Sequence, residues 1–236
     1  MCYHLSNTKT ARELEDRFDV RFEDEYSYEP NYHLNGFDFK FVYIIPQQED
    51  HLIELAKWGL LPEYFENADE FRKKFNTLNA KSENLFKSTM WREPIKHSRC
   101  LITADGFFES KHVGKNKYPH YIRLKSKEAF AFAGVYTYHD KGVFSCSIIT
   151  KAANPFMAEI HNSKKRMPLI LDKSLEKEWL NPSFSRSNIE EIINNGFTKE
   201  EFEAYTVSKD VTNSRVKSDR EYIIKPFHYP ELNTLF

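Results

Sequence analysis

The sequence predicts an α+β fold in which a curled or barrel-like antiparallel β core is surrounded by helices. Closely spaced β-branched and aromatic runs fill the middle of the chain, between residues 100 and 149. Clusters of Gly, Asp, Lys and Asn separate these runs, as turns between neighbouring strands require. Stretches with helical spacing and capping residues lie before and after them. Short strands in such close succession suit a sheet that curls or closes.

The elements follow in order. Residues 11–24 mix charges with Leu14, Phe18, Val20 and Phe22 and are expected to start as a short helix. Asn35-Gly36 marks a turn, and residues 39–45 read as a buried strand ending at Pro46. Residues 52–56 suit a helix or a strand equally, as short apolar runs do. Residues 67–76, with Phe71 and Phe75 four apart, suit a helix. Strands are expected at 100–102, 107–108, 121–124, 129–136 and 144–149, with a later apolar strand at 169–171. Asp172 or Ser174 can cap a helix running through Trp179-Leu180, and Ser187 one ending at Gly196. No internal repeat, low-complexity tract or linker interrupts the chain, so residues 1–236 are expected to form a single domain.

Composition narrows the function classes. With 20 Phe and 13 Tyr, the chain can build a substantial core and is not of the disordered class. Its 34 basic and 35 acidic residues give a net charge of -1, unlike a protein that wraps long duplex DNA. Any nucleic-acid contact must therefore use a local patch. No run of about 18 apolar residues occurs, so no helical span and no membrane partner are expected. Met1 to Leu5 lacks the pattern of a secretory signal, and cysteines at 2, 100 and 146 make no disulfide framework; a cytoplasmic, reducing location is expected. Nine dispersed histidines show no ligand spacing, so no metal and no other cofactor is expected. Cys100 and Cys146 sit in strand-like runs and read as core residues.

Four segments carry candidate chemistry. Removal of Met1 would give Cys2 a free α-amine beside its thiol, a pair able to attack one aldehyde in succession. An α-amine titrates at about 7.7–8.0, so a useful fraction is neutral near pH 7. The alternative is a chance cysteine in a frayed terminus. Glu109 follows Phe107-Phe108, surroundings that would raise its pKa toward general-acid range, or else it is an exposed acid at a strand end. His161 precedes Lys164-Lys165-Arg166, a proton shuttle beside phosphate-binding cations or an incidental His in a solvated basic loop. Trp58 reads as core or base-stacking platform, Asn79 as turn or site residue, and Lys81 as surface charge or ligand contact.

Together these segments resemble the SOS response-associated peptidase (SRAP) family. The resemblance rests on the order Met1-Cys2, Trp58-Gly59-Leu60-Leu61-Pro62, Asn79-Ala80-Lys81-Ser82-Glu83, Arg99 through Glu109, Ile148-Ile149-Thr150, His161, Arg166-Met167-Pro168 and Tyr205-Thr206-Val207-Ser208. It spans residues 1 to about 215, nearly the whole chain. The resemblance implies an enzyme that crosslinks covalently to abasic sites in single-stranded DNA through Cys2, forming a thiazolidine. Self-processing of the N-terminus and lyase activity are further implied. On this reading Cys2 supplies amine and thiol, Asn79 orients the terminal residue or the sugar, and Glu109 and His161 move protons. Lys81, Thr150 and Arg166 would sit near DNA phosphates, with Trp58 lining the pocket. Single-stranded DNA with abasic sites is the expected partner, and a monomer the expected state.

The chain departs from the family pattern at four places. Tyr3-His4 replaces Gly-Arg, Lys81 replaces an arginine, and Ser110 replaces an aromatic residue. The interval from His161 to Arg166 is longer and contains Asn162-Ser163-Lys164-Lys165, whose lysines are expected to offset the lost cations at the DNA. Two other classes remain open: a cysteine peptidase using Cys2 and His161 on itself or other proteins, and a non-enzymatic nucleic-acid-binding module that retains Met1.

Overall fold

A ring of five strands closes around the apolar residues supplied by the middle of the chain. The structure is a computed structural model and describes residues 2–23, 28–63, 67–139 and 142–232; Met1 lies outside these. The strands are β1 (His4–Asn7), β2 (Arg21–Phe22), β3 (Asn31–Asn35), β4 (Phe41–Pro46), β5 (Leu52–Trp58), β6 (Asn79–Lys81) and β7 (Arg99–Ala104). They continue with β8 (Gly106–Val113), β9 (Asn116–Leu124), β10 (Phe130–His139), β11 (Val143–Ala152), β12 (Arg166–Pro168) and β13 (Phe202–Thr206). The helices are α1 (Ala11–Phe18), α2 (Ala68–Lys74), α3 (Pro94–His97), α4 (Pro155–Ile160), α5 (Lys173–Trp179) and α6 (Arg186–Asn195).

The ring runs β5-β4-β7-β10-β11, and each of these neighbours is antiparallel. β11 then pairs with β5, Phe144 opposite Ala56 and Cys146 opposite Trp58, and this pair is parallel. Strand number explains the departure from the all-antiparallel expectation. When direction alternates around five strands, the first and last point the same way, so closure must be parallel. Residues 52–56 resolve as strand because they complete this ring.

A second sheet, β13-β9-β8-β1-β3, packs against the barrel. Leu5, Phe107, Ile122 and Leu124 of this sheet share one core with Ile44, Ile102, Phe132 and Ile148 of the ring. Phe107 meets Phe130 and Phe132 edge-on at 6.4 and 5.8 Å, an arrangement aromatic rings favour. Gly106 is required at the start of β8, because a Cβ there would lie 2.2 Å from the Tyr121 hydroxyl.

Local signals set the helix ends. Thr10 caps α1 reciprocally with Glu13, Asn154 caps α4 and Asp172 caps α5. α6 is capped by Ser185 and not by Ser187, because Asn188 bonds back to Ser185 and completes the box there. Residues 169–171 form no ladder of their own. Leu169 donates to Ile149 O at 2.9 Å and accepts from Ala133 N at 2.8 Å. The segment thus fills the gap where β10 and β11 diverge, leaving isolated bridges in place of the expected strand.

Candidate active site

β11 is the strand that gathers the site. Along one edge it pairs with β10 and then with β12, where Ala152 faces Arg166. Along the other it pairs with β5 and then with β6, where Ile148 faces Asn79 and Thr150 faces Lys81. Segments far apart in sequence therefore become neighbours. In the second sheet β1 lies antiparallel to β8 with His4 opposite Phe108, so the residues leading into β1 run past Glu109.

The start of the chain is held by its backbone. Asn79 Nδ2 donates to Cys2 O at 2.8 Å, and Gly36 N donates to Tyr3 O at 2.8 Å. Cys2 is completely buried in the unprocessed chain, and its thiol lies 3.7 Å from the His4 carbonyl, to which it donates. Burial first, and the charge of Glu109 second, push that thiol far above its ordinary value, so it is a neutral thiol at physiological pH.

Glu109 lies inside β8 with only 8% of its surface exposed, which excludes the solvated strand-end acid. Burial raises its carboxyl to about 7, the range in which one group both gives and takes protons near neutrality. His161 directly follows α4, and its Nδ1 lies 3.7 Å from Glu109 Oε1. The same Nδ1 donates to Arg166 O at 2.8 Å. Since a carbonyl only accepts, Nδ1 carries the proton, and Nε2 of the neutral ring keeps its lone pair. Burial lowers this histidine to about 4, so the ring is neutral at pH 7. Cys2, Asn79, Glu109 and His161 thus meet at one place, with a carboxyl raised by burial beside a neutral imidazole.

The remaining expected site residues divide. Arg166 is engaged by Glu83 through both nitrogens, at 3.1 Å for its Nη2, and also donates to Thr150 O at 2.6 Å and Thr150 Oγ1 at 3.3 Å. Thr150 itself is fully buried, so it steadies Arg166 from beneath. Lys81 is exposed beside them on β6. Lys164 lines the cleft over Glu109 and His161, while Lys165 is exposed and turns the chain with a φ of 49°. Trp58 departs from the expectation that it lines a DNA pocket. Its indole is 1% exposed, packs inside the barrel and donates to Leu78 O at 3.0 Å, propping the strand that carries Asn79.

A cleft of about 570 Å³ opens over these groups. His112 and Lys117 join its wall, opposite each other in the β8–β9 hairpin. The sequence reading overlooked both, although the Gly114-Lys115 turn fixes that register. It also overlooked the contact between His4 Nδ1 and His33 Nε2, which share a hydrogen bond of 2.9 Å. Asn162 clamps the longer loop to β8, donating to His112 O at 2.8 Å and accepting from His112 N at 2.9 Å. A separate cavity of about 440 Å³ elsewhere is lined by Glu23, Glu49 and Glu54, a lining unsuited to a polyanion.

Residues 1–214 match the family described as SOS response associated peptidase (SRAP). The chain is 32% identical over 224 residues to the abasic site processing protein YoaM of Bacillus subtilis, covering 92% of this chain and 96% of that one. It is 28% identical over 213 residues to the abasic site processing protein YedK of Escherichia coli, covering 88% and 90%. A crystal structure of a protein from Bacteroides thetaiotaomicron matches with a TM-score of 0.84 at 30% identity, covering 96% of this chain and all of that one. The chain belongs to the SOS response-associated peptidase family.

Proposed function

We propose that this protein captures abasic sites in single-stranded DNA by forming a thiazolidine between Cys2 and the open-ring aldehyde. The observation that carries the reading is the meeting of a tethered Cys2 with Glu109 and His161, one carboxyl raised to about 7 and one imidazole lowered to about 4. The names of the curated relatives supply the substrate class.

The chemistry requires that Met1 be removed, by the protein itself or by an aminopeptidase. The α-amine of Cys2 then adds to the aldehyde carbon, and the resulting carbinolamine loses water to become an imine. Glu109 in its acid form delivers the proton that lets the oxygen leave. The Cys2 sulfur next adds to the imine carbon: one C–S bond forms, the thiol proton passes to nitrogen, and a five-membered ring closes. The net change is aldehyde plus aminothiol giving thiazolidine plus water. His161 Nε2 is the base suited to proton transfers that open the sugar and relay the thiol proton. Because burial keeps the thiol neutral, the amine acts first and the sulfur second. Strand scission by β-elimination would start from the same imine, and ring closure competes with it.

A cysteine-peptidase reading fits less well. It needs a thiolate paired with an imidazolium, whereas this thiol is raised by burial and its hydrogen bond goes to the His4 carbonyl. Lys81, Lys164 and Lys165 are the cations we assign to DNA phosphates, with Arg166 held ready by Glu83. Incubation with a single-stranded oligonucleotide bearing an abasic site is expected to yield a heat-stable adduct on a denaturing gel. Cys2→Ala should abolish it; equal crosslinking by that variant refutes the mechanism.

A further inference from the structure

Beside the cleft lies a second hollow of about 760 Å³, and the two share His4, Val211 and Thr212 along their walls. Phe37 stands at this border. It is 51% exposed, which leaves part of its ring open to the hollow. Its ring lies against Tyr3, with centroids 4.8 Å apart and planes tilted by 41°. Tyr3 directly follows Cys2 and lines the cleft that holds Glu109 and His161.

The support beneath Phe37 is firm. Phe37 N donates to Asn35 Oδ1 at 3.2 Å, and Gly36 N donates to Tyr3 O at 2.8 Å. A Cβ on Gly36 would come within 3.1 Å of Leu78 and 3.2 Å of Trp58, so the turn sits directly on the barrel core. Asn76 Nδ2 donates to the Tyr3 hydroxyl at 3.4 Å. The exposed ring is thus held in place by its own turn. Lys40, Lys217 and Arg220 line the same hollow together with Asp38 and Asp219; Asp219 is engaged by the backbone, tying the last of these segments to β3 by accepting from Tyr32 N and His33 N at 2.8 and 3.0 Å, so the cations outnumber the acids.

An aromatic face flanked by cations is what a single strand of nucleic acid requires: the ring takes a base and the cations take phosphates. We propose that Phe37, backed by Tyr3, is the platform on which the base next to the abasic residue stacks, with its phosphates running toward Lys40, Lys217 and Arg220. The proposal rests on the capture of abasic DNA put forward above and assigns that site its neighbouring subsite. Stacking on this shelf holds the flanking nucleotide while the missing base leaves the aldehyde free to enter beside Cys2.

The test is a cycle between protein and DNA. Three oligonucleotides carry one abasic site: one with purines on both sides, and two in which one neighbour is replaced by a base-less spacer without an aldehyde. Capture is followed as a function of oligonucleotide concentration with the wild-type chain and with Phe37→Ala and Phe37→Trp. Removing the neighbouring base on one side should raise the half-saturating concentration of the wild type roughly tenfold, within the range contributed by stacking one base. Phe37→Ala should show the same loss with purines present and no further loss when that base is absent, and Phe37→Trp should restore binding. Independent, additive losses, or no loss from removing either base, would overturn the platform. Circular dichroism confirms that the variants fold. Absence of any adduct with the wild type would instead count against the covalent reading, and fluorescence anisotropy with a non-reactive lesion would still test the shelf.

Discussion

Arg99 and Glu109 lie on consecutive strands of the fold and both are buried, yet their surroundings differ. The Arg99 guanidinium donates to Trp179 O, Ile95 O, Lys96 O and Asn181 O at 2.6–3.0 Å, the carbonyls at the C-terminal ends of α3 and α5. Those helix ends present unsatisfied carbonyls and the negative pole of the backbone, so a cation with no carboxylate partner among the described residues is stable there. Burial lowers Arg99 only to about 10, and it stays charged. Glu109 is buried at the floor of an open cleft, 3.7 Å from a histidine, and its protonation is balanced near neutrality. Buried ionisable groups thus divide by what surrounds them. A network of backbone acceptors makes a structural post, whereas a displaced pKa at the edge of a cavity makes a reactive group.

Four variants separate these roles. Glu109→Gln is expected to slow capture by roughly a hundredfold or more, the contribution of a positioned acid or base. Because the carboxyl is raised to about 7, the wild-type rate should change with an inflection near that pH, and the inflection should vanish in Glu109→Gln. An unaltered pH profile would mean that Glu109 moves no proton. Next in size, Arg99→Leu should cost about 3 kcal/mol or more in a urea titration, because several buried carbonyls lose their donor. Its capture rate per folded molecule should stay near that of the wild type; slowed chemistry in a fully stable protein would make Arg99 part of the reactive machinery.

Asn79→Ala removes the bond to Cys2 O and should slow capture about tenfold, as loss of one buried hydrogen bond would. The thermal midpoint serves as the control for folding. The smallest effect concerns acid. Burial holds His4 and His161 at about 4 and His33 at about 3, below the ordinary 6.5. The unfolded chain therefore takes up protons first, and stability present above pH 6.5 is lost as pH falls toward 4. Glu109 has the opposite sign, since its raised carboxyl favours folding below 4.5 and loses that contribution as pH rises through about 7. Thermal midpoints between pH 6.5 and 4.5 should fall less steeply in His33→Gln than in the wild type; equal slopes would show that the His4–His33 contact does not exclude protons.

The strands of the ring were legible because each is a local run of β-branched and aromatic residues, as in Phe130–His139 and Val143–Ala152. Closure was not, because the parallel β5–β11 pair follows from how many strands stand between them, a property no local window contains. Spacing was equally unable to join Glu109 to His161, which meet where the end of α4 packs against β8; only the family resemblance had put them in one site. Ser185 and Ser187 offer equivalent local signals, and only the reciprocal bond with Asn188 separates them. For Trp58 the local pattern favoured the core while the family resemblance pointed to the pocket, and burial inside the barrel decides for the core.

In the proposed crosslink, nitrogen and sulfur of one residue end on one carbon. Mass spectrometry of the N-terminal peptide recovered from a nuclease-treated adduct tests it directly. A thiazolidine gives a peptide beginning at Cys2, without Met1, heavier by the lesion remnant less one water, with no thiol open to alkylation and no primary amine at its first residue. A peptide that retains Met1, a modifiable thiol beside the adduct, or a remnant on a lysine would contradict it.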